Sequence, residues 1–340
     1  MSDDLMTDLS RLMPASPAGE LHEDRLLILK EHLMAEYRLA ADTELPAHSS
    51  TPKRAWRLPR WSRRRPLIAA GAAALTAAAA ATALVVTLAG GGPAPASPAA
   101  VRLLAEVAVA AGRQSAPTVS NSDFMYIRSD VAFMVYENGS QTGIMEPLHE
   151  RQIWLPVANL CDYGLLIEEG QRTSLEPGDG LSPPSGANCG PGNLGDPTYR
   201  LLQSLPTDPH ALLSAIYAWD QGRGSSQLYQ EIGPSGAAFE TIGDVIREMI
   251  VPPATAAALY RAAALIPGVT LIGRVANADG RAGIAVAWTG SQDRYEWIFD
   301  PSTLQFIGER DFDMSTGKPV ATGYTAVLQR AFVAKAGELP

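Results

Sequence analysis

Few residues in this 340-residue chain have the types and spacing that chemistry needs. Gly190-Pro-Gly-Asn-Leu-Gly195 matches GxGxxG, the spacing that lets a backbone approach a pyrophosphate. That use requires a strand before the glycines and a helix behind them. Here a cysteine in a loop precedes them and Asp196-Pro197 follows, so the match reads as a turn and no cofactor is expected. No GxSxG, HExxH or phosphate-loop motif occurs. His22 and His32 are ten residues apart, off any shared helical face, and His149 and His210 are isolated. Metal sites need closer ligand spacing, usually with thiolates. Asp311-Phe-Asp313 has cation-binding side chains, but at a strand end it reads as a solvated turn. The residues therefore predict no catalytic, cofactor or metal site, and no enzyme.

Cys161 and Cys189 are the only two cysteines. The segment between them is rich in turn residues, including Glu176-Pro-Gly-Asp-Gly180 and Pro183-Pro-Ser-Gly186. A disulfide would give such a loop about 3 kcal/mol on chain-entropy reasoning. Two buried thiols are the alternative. The choice depends on the compartment, and charge along the chain speaks to that.

Residues 1–45 carry ten acids and four bases, residues 53–65 carry seven bases and no acid, and residues 66–101 carry no charge. The uncharged gap holds Leu67–Ala89, 23 residues without proline. As a helix it is about 34 Å long at about 1.5 Å per residue, enough for a hydrocarbon core of about 30 Å. An amphipathic soluble helix would need a charged face, and this segment has none. A cleaved signal peptide would have a shorter lead than the 66 residues found here. The positive-inside rule then puts the N-terminus in the cytoplasm and residues 100–340 outside, as a single-pass protein of the cell membrane. The outside location favours a Cys161–Cys189 disulfide. The basic block Lys53–Arg65, with Trp56 and Trp61, suits anionic headgroups. The net charge of −9 argues against nucleic acid.

Five zones follow: a cytoplasmic helical segment (1–45), a basic juxtamembrane linker (46–66), the span (67–89), a Gly/Pro linker (90–99) and an extracytoplasmic domain (100–340). In the first, Leu26, Leu29, Leu33 and Tyr37 recur at spacings of three and four and form an apolar stripe. The stripe is either a docking surface for a cytoplasmic protein or the seam of a self-packed helix pair.

The outer domain reads as α+β. Strands are expected at 124–136 and 142–155, with a hairpin tip at Asn138-Gly139. Helices are expected at 99–112, 210–221 (capped by Asp208-Pro209), through the stripe Phe239–Ile250, and at 253–266. An antiparallel meander follows at 269–275, 283–289, 295–299, 304–311 and 324–332. Curved into a half-barrel, it would offer a cleft lined by Tyr126, Phe133, Trp154, Trp288 and Trp297, unless these aromatics fill the core.

Leu205-Pro-Thr-Asp-Pro-His210, Tyr260-Arg-Ala-Ala-Ala-Leu-Ile-Pro-Gly-Val269, Asp279-Gly-Arg281, Phe299-Asp-Pro301 and Ile307-Gly308 occur in an order that resembles an actinobacterial family. Its members are single-pass membrane proteins of unassigned function that look like partners of extracytoplasmic-function sigma factors. The resemblance covers roughly residues 100–335, and its motifs are caps and turns. It implies an anti-sigma-like regulator with a sigma factor as cytoplasmic partner. The meander also looks like lipoprotein-carrier and sigma-E-regulator folds, which implies an extracytoplasmic lipid or peptide ligand. One departure is clear: zinc-type anti-sigma domains carry His and paired Cys inside, and residues 1–66 contain no Cys. The reading is a sensor or regulator without catalysis. The alternative is a tethered binding module for lipid or peptide.

Overall fold

The computed structural model describes residues 94–136, 143–175, 190–224 and 226–340. The expected span, the stripe Leu26, Leu29, Leu33 and Tyr37, the tip Asn138-Gly139 and Cys189 lie outside these residues. Among the described residues no helix is long and apolar enough to cross a membrane.

A first helix, α1 (Pro98–Gly112), starts where the Ser97 side chain accepts the Ala100 N–H and Pro98 fills the first turn. The strands β1 (Phe124–Tyr136), β2 (Gly143–Met145), β3 (His149–Pro156), β4 (Gly164–Glu168) and β5 (Gln171–Leu175) follow. A two-residue ribbon, β6 (Gly192–Asn193) and β7 (Asp196–Pro197), holds the GxGxxG match. The glycines thus turn a small hairpin, as the missing strand before them required. Four helices come next: α2 (Tyr199–Ser204), α3 (Pro209–Gly222), α4 (Gln227–Glu248) and α5 (Pro253–Ala263). The chain ends in β8 (Val269–Ala276), β9 (Ala282–Thr289), β10 (Asp293–Phe299), β11 (Phe306–Asp313) and β12 (Val320–Val333).

Apart from the β6–β7 ribbon, the strands form one sheet in the order β5-β4-β3-β1-β12-β11-β10-β9-β8, with β2 beside β1. All its pairings are antiparallel. Within the described residues β5 and β8 are unpaired on their outer sides, so the sheet is open and not a closed barrel. The expected 142–155 strand is broken in two around Pro147, which cannot donate to a ladder. The 304–311 strand starts two residues late, because Leu304 has φ 58° in a turn where Asp300 accepts the Ser302 and Thr303 N–H groups.

The helices cover one face of the β8–β12 half. Helix α5 is rich in alanine, and Ala258, Ala262 and Ala263 are fully buried. These small side chains let α1 pack closely against it. Helix α4 lies on β9, β10 and β11. Gly233 at φ 65° and then Pro234 divide it into two helical runs, 227–232 and 234–248. The second run buries the predicted stripe. Phe239 stacks on Trp297, with centroids 3.8 Å apart and planes 8° apart. Gly243 faces the same indole, and a Cβ there would lie 2.8 Å from Trp297 Nε1. The glycine therefore sets how closely α4 approaches the sheet, and so places the charged residues that flank it.

Candidate functional site

Residues directly opposite each other on antiparallel strands share a face of the sheet. On the helical face, Trp297 and Tyr295 of β10 stand opposite Glu309 and Asp311 of β11. These in turn face Thr325 and Gly323 of β12. Next come Val131 and Phe133 of β1, and Ser129 lies opposite Arg151 of β3. Two carboxylates and a guanidinium thus sit on the face that α4 covers only in part.

From α4, Glu240, Asp244 and Arg247 recur at i, i+4 and i+7 and border this face. Arg247 is the hub. Its Nη1 donates to Glu309 Oε1 at 2.7 Å and its Nη2 to Asp244 Oδ1 at 2.6 Å, and its Nε lies 3.5 Å from Glu248 Oε1. The same Glu248 oxygen accepts from Arg151 Nη1 at 2.8 Å. Arg151 Nε lies 3.8 Å from Glu168 Oε2, and the other Glu168 oxygen is 3.0 Å from His149 Nε2. A line of alternating charge therefore runs across the helical face from β11, over the end of α4, to β3 and β4.

Arg247 separates two depressions. One is a slot of about 10 Å³ walled by Ile127, Val131, Phe133 and Ile153 together with Ser129, Thr325, Arg151, Arg247 and Glu248. The other is a cavity of about 90 Å³ bounded by Glu240, Gly243, Asp244, Arg247, Tyr295, Trp297, Glu309 and Asp311. Glu309 is 5% exposed, and its Oε2 has no hydrogen-bond partner. Asp311 Oδ1 is likewise buried and unpartnered.

The electrostatics follow from this count of charges. Four carboxylates share one guanidinium around the larger cavity. Burial, then Asp244, pushes the Glu240 pKa up to about 8, and Arg247 opposes the rise. Burial and Glu309 hold the Asp311 carboxyl well above its usual range. Burial raises Glu309 itself, against the pull of Arg247. Burial and Glu240 raise the Tyr295 hydroxyl. Burial opposes ionisation of Glu248, but Arg151 and Arg247 bring its pKa below the ordinary value. At His149 burial works against the charge, yet the Pro147 carbonyl and Glu168 raise its pKa.

The structure separates the five aromatics expected to line a cleft. Tyr126 and Trp154 pack together, centroids 4.9 Å apart, on the opposite face. There the C-terminal segment covers them, and Trp154 Nε1 donates to the Glu338 carbonyl at 2.7 Å. Trp288 and Trp297 belong to the core beneath α4, and Trp297 also bounds the larger cavity. Phe133 alone lines the slot. They divide because β1 and β3 alternate: Tyr126 and Trp154 are one residue out of phase with Ile127 and Ile153, which face the helices. Of the Asp-Phe-Asp run, Asp313 caps a turn by accepting the Ser315 N–H at 2.7 Å, and Asp311 enters the cavity.

What the sequence reading missed is the acid/acid/base pattern of Glu240, Asp244 and Arg247, which borders the apolar stripe it did find. Glu309-x-Asp311, two acids on one face of a strand, was the matching signal. Chemically the arrangement offers carboxylate acceptors, two of them with an unpartnered oxygen, beside a single guanidinium among the described residues. Among the described residues no three Asp, Glu, His or Cys side chains converge to hold a metal ion.

No family model matches this chain, and no curated protein matches it in sequence. Solved structures with a low degree of likeness include the complex of Pseudomonas aeruginosa MucA/MucB, with 14% identity over 71% of this chain and 58% of that one and a TM-score of 0.28. A crystal structure of MucB gives 13% identity over 72% and 62%, with a TM-score of 0.26. MucB in complex with MucA(peri) gives 14% over 71% and 57%, with a TM-score of 0.23. The chain spans about three fifths of the length of these solved chains.

Proposed function

We propose that the chain is a non-catalytic, single-pass membrane regulator. Its described domain lies on the extracytoplasmic side and binds a polypeptide segment in the groove beside α4. The N-terminal segment engages a cytoplasmic partner through Leu26, Leu29, Leu33 and Tyr37, and a sigma factor is the partner that the sequence resemblance suggests. The observation that supports the reading is the groove itself, where α4, β3 and β11 converge charged side chains beside Tyr295 and Trp297 of β10 on a partly covered sheet face.

Volume favours peptide over lipid. Enclosed sites for drug-sized ligands run to about 300–1,000 Å³. The slot here is about 10 Å³ and the larger cavity about 90 Å³. An acyl chain would have to lie over charged groups and strip them of water, which is costly. A peptide can hydrogen-bond to them.

The test is photo-crosslinking in cells from the groove mouth, with Phe133→p-benzoylphenylalanine in the full chain and Leu339→p-benzoylphenylalanine as control. One defined polypeptide adduct, at the groove position only, is the expected result. Adducts with lipid alone, or none, would remove the reading.

A Cys161–Cys189 disulfide belongs to the same proposal. Its support is the Leu160 N–H, which donates to the Gly190 carbonyl at 3.1 Å and so draws together the chain beside each cysteine. Disulfides need Cα atoms within about 7 Å. Alkylation of the unreduced, unfolded chain should add no label, and two labels per chain would place both thiols as free.

A further inference from the structure

We propose that the cavity bounded by α4, β10 and β11 is a binding site for a guanidinium group, contributed by an arginine side chain of the polypeptide that lies in the groove. The identity of that polypeptide rests on the function proposed above; the cation site itself rests on three observations that do not.

First, the cavity holds more carboxyl groups than bases. Glu240, Asp244, Glu309 and Asp311 meet there with Arg247 as the one base on its wall. Arg247 consumes one oxygen of Glu309 and one of Asp244. Second, two buried carboxylate oxygens, Glu309 Oε2 and Asp311 Oδ1, have no partner. A buried acceptor left without a donor is costly, more so when charged, so a donor that reaches both oxygens recovers that cost. Third, part of the wall is aromatic. Tyr295 and Trp297 stand directly opposite Asp311 and Glu309 across the β10–β11 ladder.

Shape selects the cation. Glu309 and Asp311 lie two residues apart on one strand, a separation of about 7 Å at about 3.3–3.4 Å per residue. A guanidinium is a planar fork with five N–H donors and can bridge two carboxylates. An ammonium is a compact point charge that serves one of them at a time. The same spread of carboxylates disfavours a bare metal ion. Protonation is linked to occupancy. Burial and mutual repulsion raise the pKa values of Glu240, Glu309 and Asp311, so the empty cavity holds protons that an incoming cation displaces. Asp244, Arg247 and Glu248 on α4, Tyr295 on β10 and Arg223 at the end of α3 are the other groups that act on these carboxyls. Binding should therefore release protons and tighten as the pH rises towards about 8.

The experiment titrates the full chain with acetyl-Gly-Arg-Gly-amide, followed by calorimetry in two buffers of different ionisation enthalpy, with the citrulline tripeptide and spermidine as further probes. The expected result is saturable binding of the arginine peptide with proton release. The citrulline peptide, which lacks the charge, should not bind. Asp311→Asn and Glu240→Gln should each weaken the arginine peptide, Asp311→Asn by at least about tenfold. Glu150→Gln, on the opposite face of the sheet, should not. Spermidine binding as tight as the peptide would overturn the guanidinium assignment. Equal binding of arginine and citrulline peptides, no saturable binding, or an unchanged affinity in both folded cavity variants would overturn the proposal. A retained polypeptide crosslink at Phe133 alongside such a failure would leave the groove in place and remove only the cation assignment.

Discussion

Arg247→Met is expected to lower the stability of the domain by about 3–5 kcal/mol, the cost of removing one partner from a buried charged network. The Arg247 side chain is 20% exposed and its partner Glu309 6%, so solvent screens this pair far less than a surface pair. A surface ion pair would contribute about 0–1 kcal/mol. Methionine keeps most of the volume, so the loss reports charge rather than a cavity. Without the guanidinium, Glu309 and Asp311 on β11 and Glu240 on α4 face one another with no base between them. They can respond only by taking up protons or by drawing water into the cavity. Arg247→Lys should recover part of the loss, because an ammonium restores the charge but cannot donate at once to Glu309 and Asp244 as the fork does. Denaturant unfolding at pH about 7.5 measures the difference. A loss under about 1 kcal/mol would mean that the network behaves as a surface ion pair.

The same residue explains why the fold was easier to read than the site. Periodicity located α4 through Phe239, Ile242, Val245, Ile246 and Met249, all of which are buried in the core. Proline and capping signals located α3 and α5, where Asp208 accepts the Ala211 N–H at 2.9 Å and Pro253 opens a helix. Strand β1 begins and ends where alternation predicted, at Phe124 and Tyr136. These signals are local, carried by residues a few positions apart. The β4–β5 hairpin was missed because Gln171–Leu175 is polar and short, with little apolar alternation.

The pairing of β1 with β12 joins residues roughly two hundred apart, Phe124 with Val333, and nothing local announces it. The site depends on pairings of this kind. Glu309 and Arg247 are separated by 62 positions, and Arg151 and Glu248 by 97. Each of these residues is an ordinary solvated charge when read alone. The cleft aromatics show the converse error. Tyr126, Trp154 and Trp288 are large and rare enough to attract notice, and large aromatics are also what a core uses. The sheet's two-residue alternation then sent Tyr126 and Trp154 to the face away from the helices.

The carboxylates that exceed the available bases should also be visible as an unusual dependence of stability on pH. The unfolded chain leaves Glu240 near its ordinary value of 4.5, and the folded protein raises it to about 8. Between those values the folded state holds a proton that the unfolded state has lost. Stability from this group is therefore greatest below about pH 4.5 and falls as the pH climbs to about 8, by up to about 1.4 kcal/mol per pH unit for one proton. Glu309 and Asp311, also raised, act in the same direction. Glu248 acts in the opposite one: Arg151 and Arg247 depress it, so its contribution is present above about pH 4.5 and is lost only in acid below that. The windows do not overlap, and Glu240 can be isolated by Glu240→Gln, which imitates the protonated carboxyl at every pH. The variant should match the wild type near pH 4.5, become the more stable of the two as the pH rises, and lead by the widest margin near pH 8. Urea unfolding across this range gives the difference curve. A flat difference would show that Glu240 ionises freely in the folded state, and that the cavity beside Arg247 is open enough to water for its surplus of acid to carry no cost.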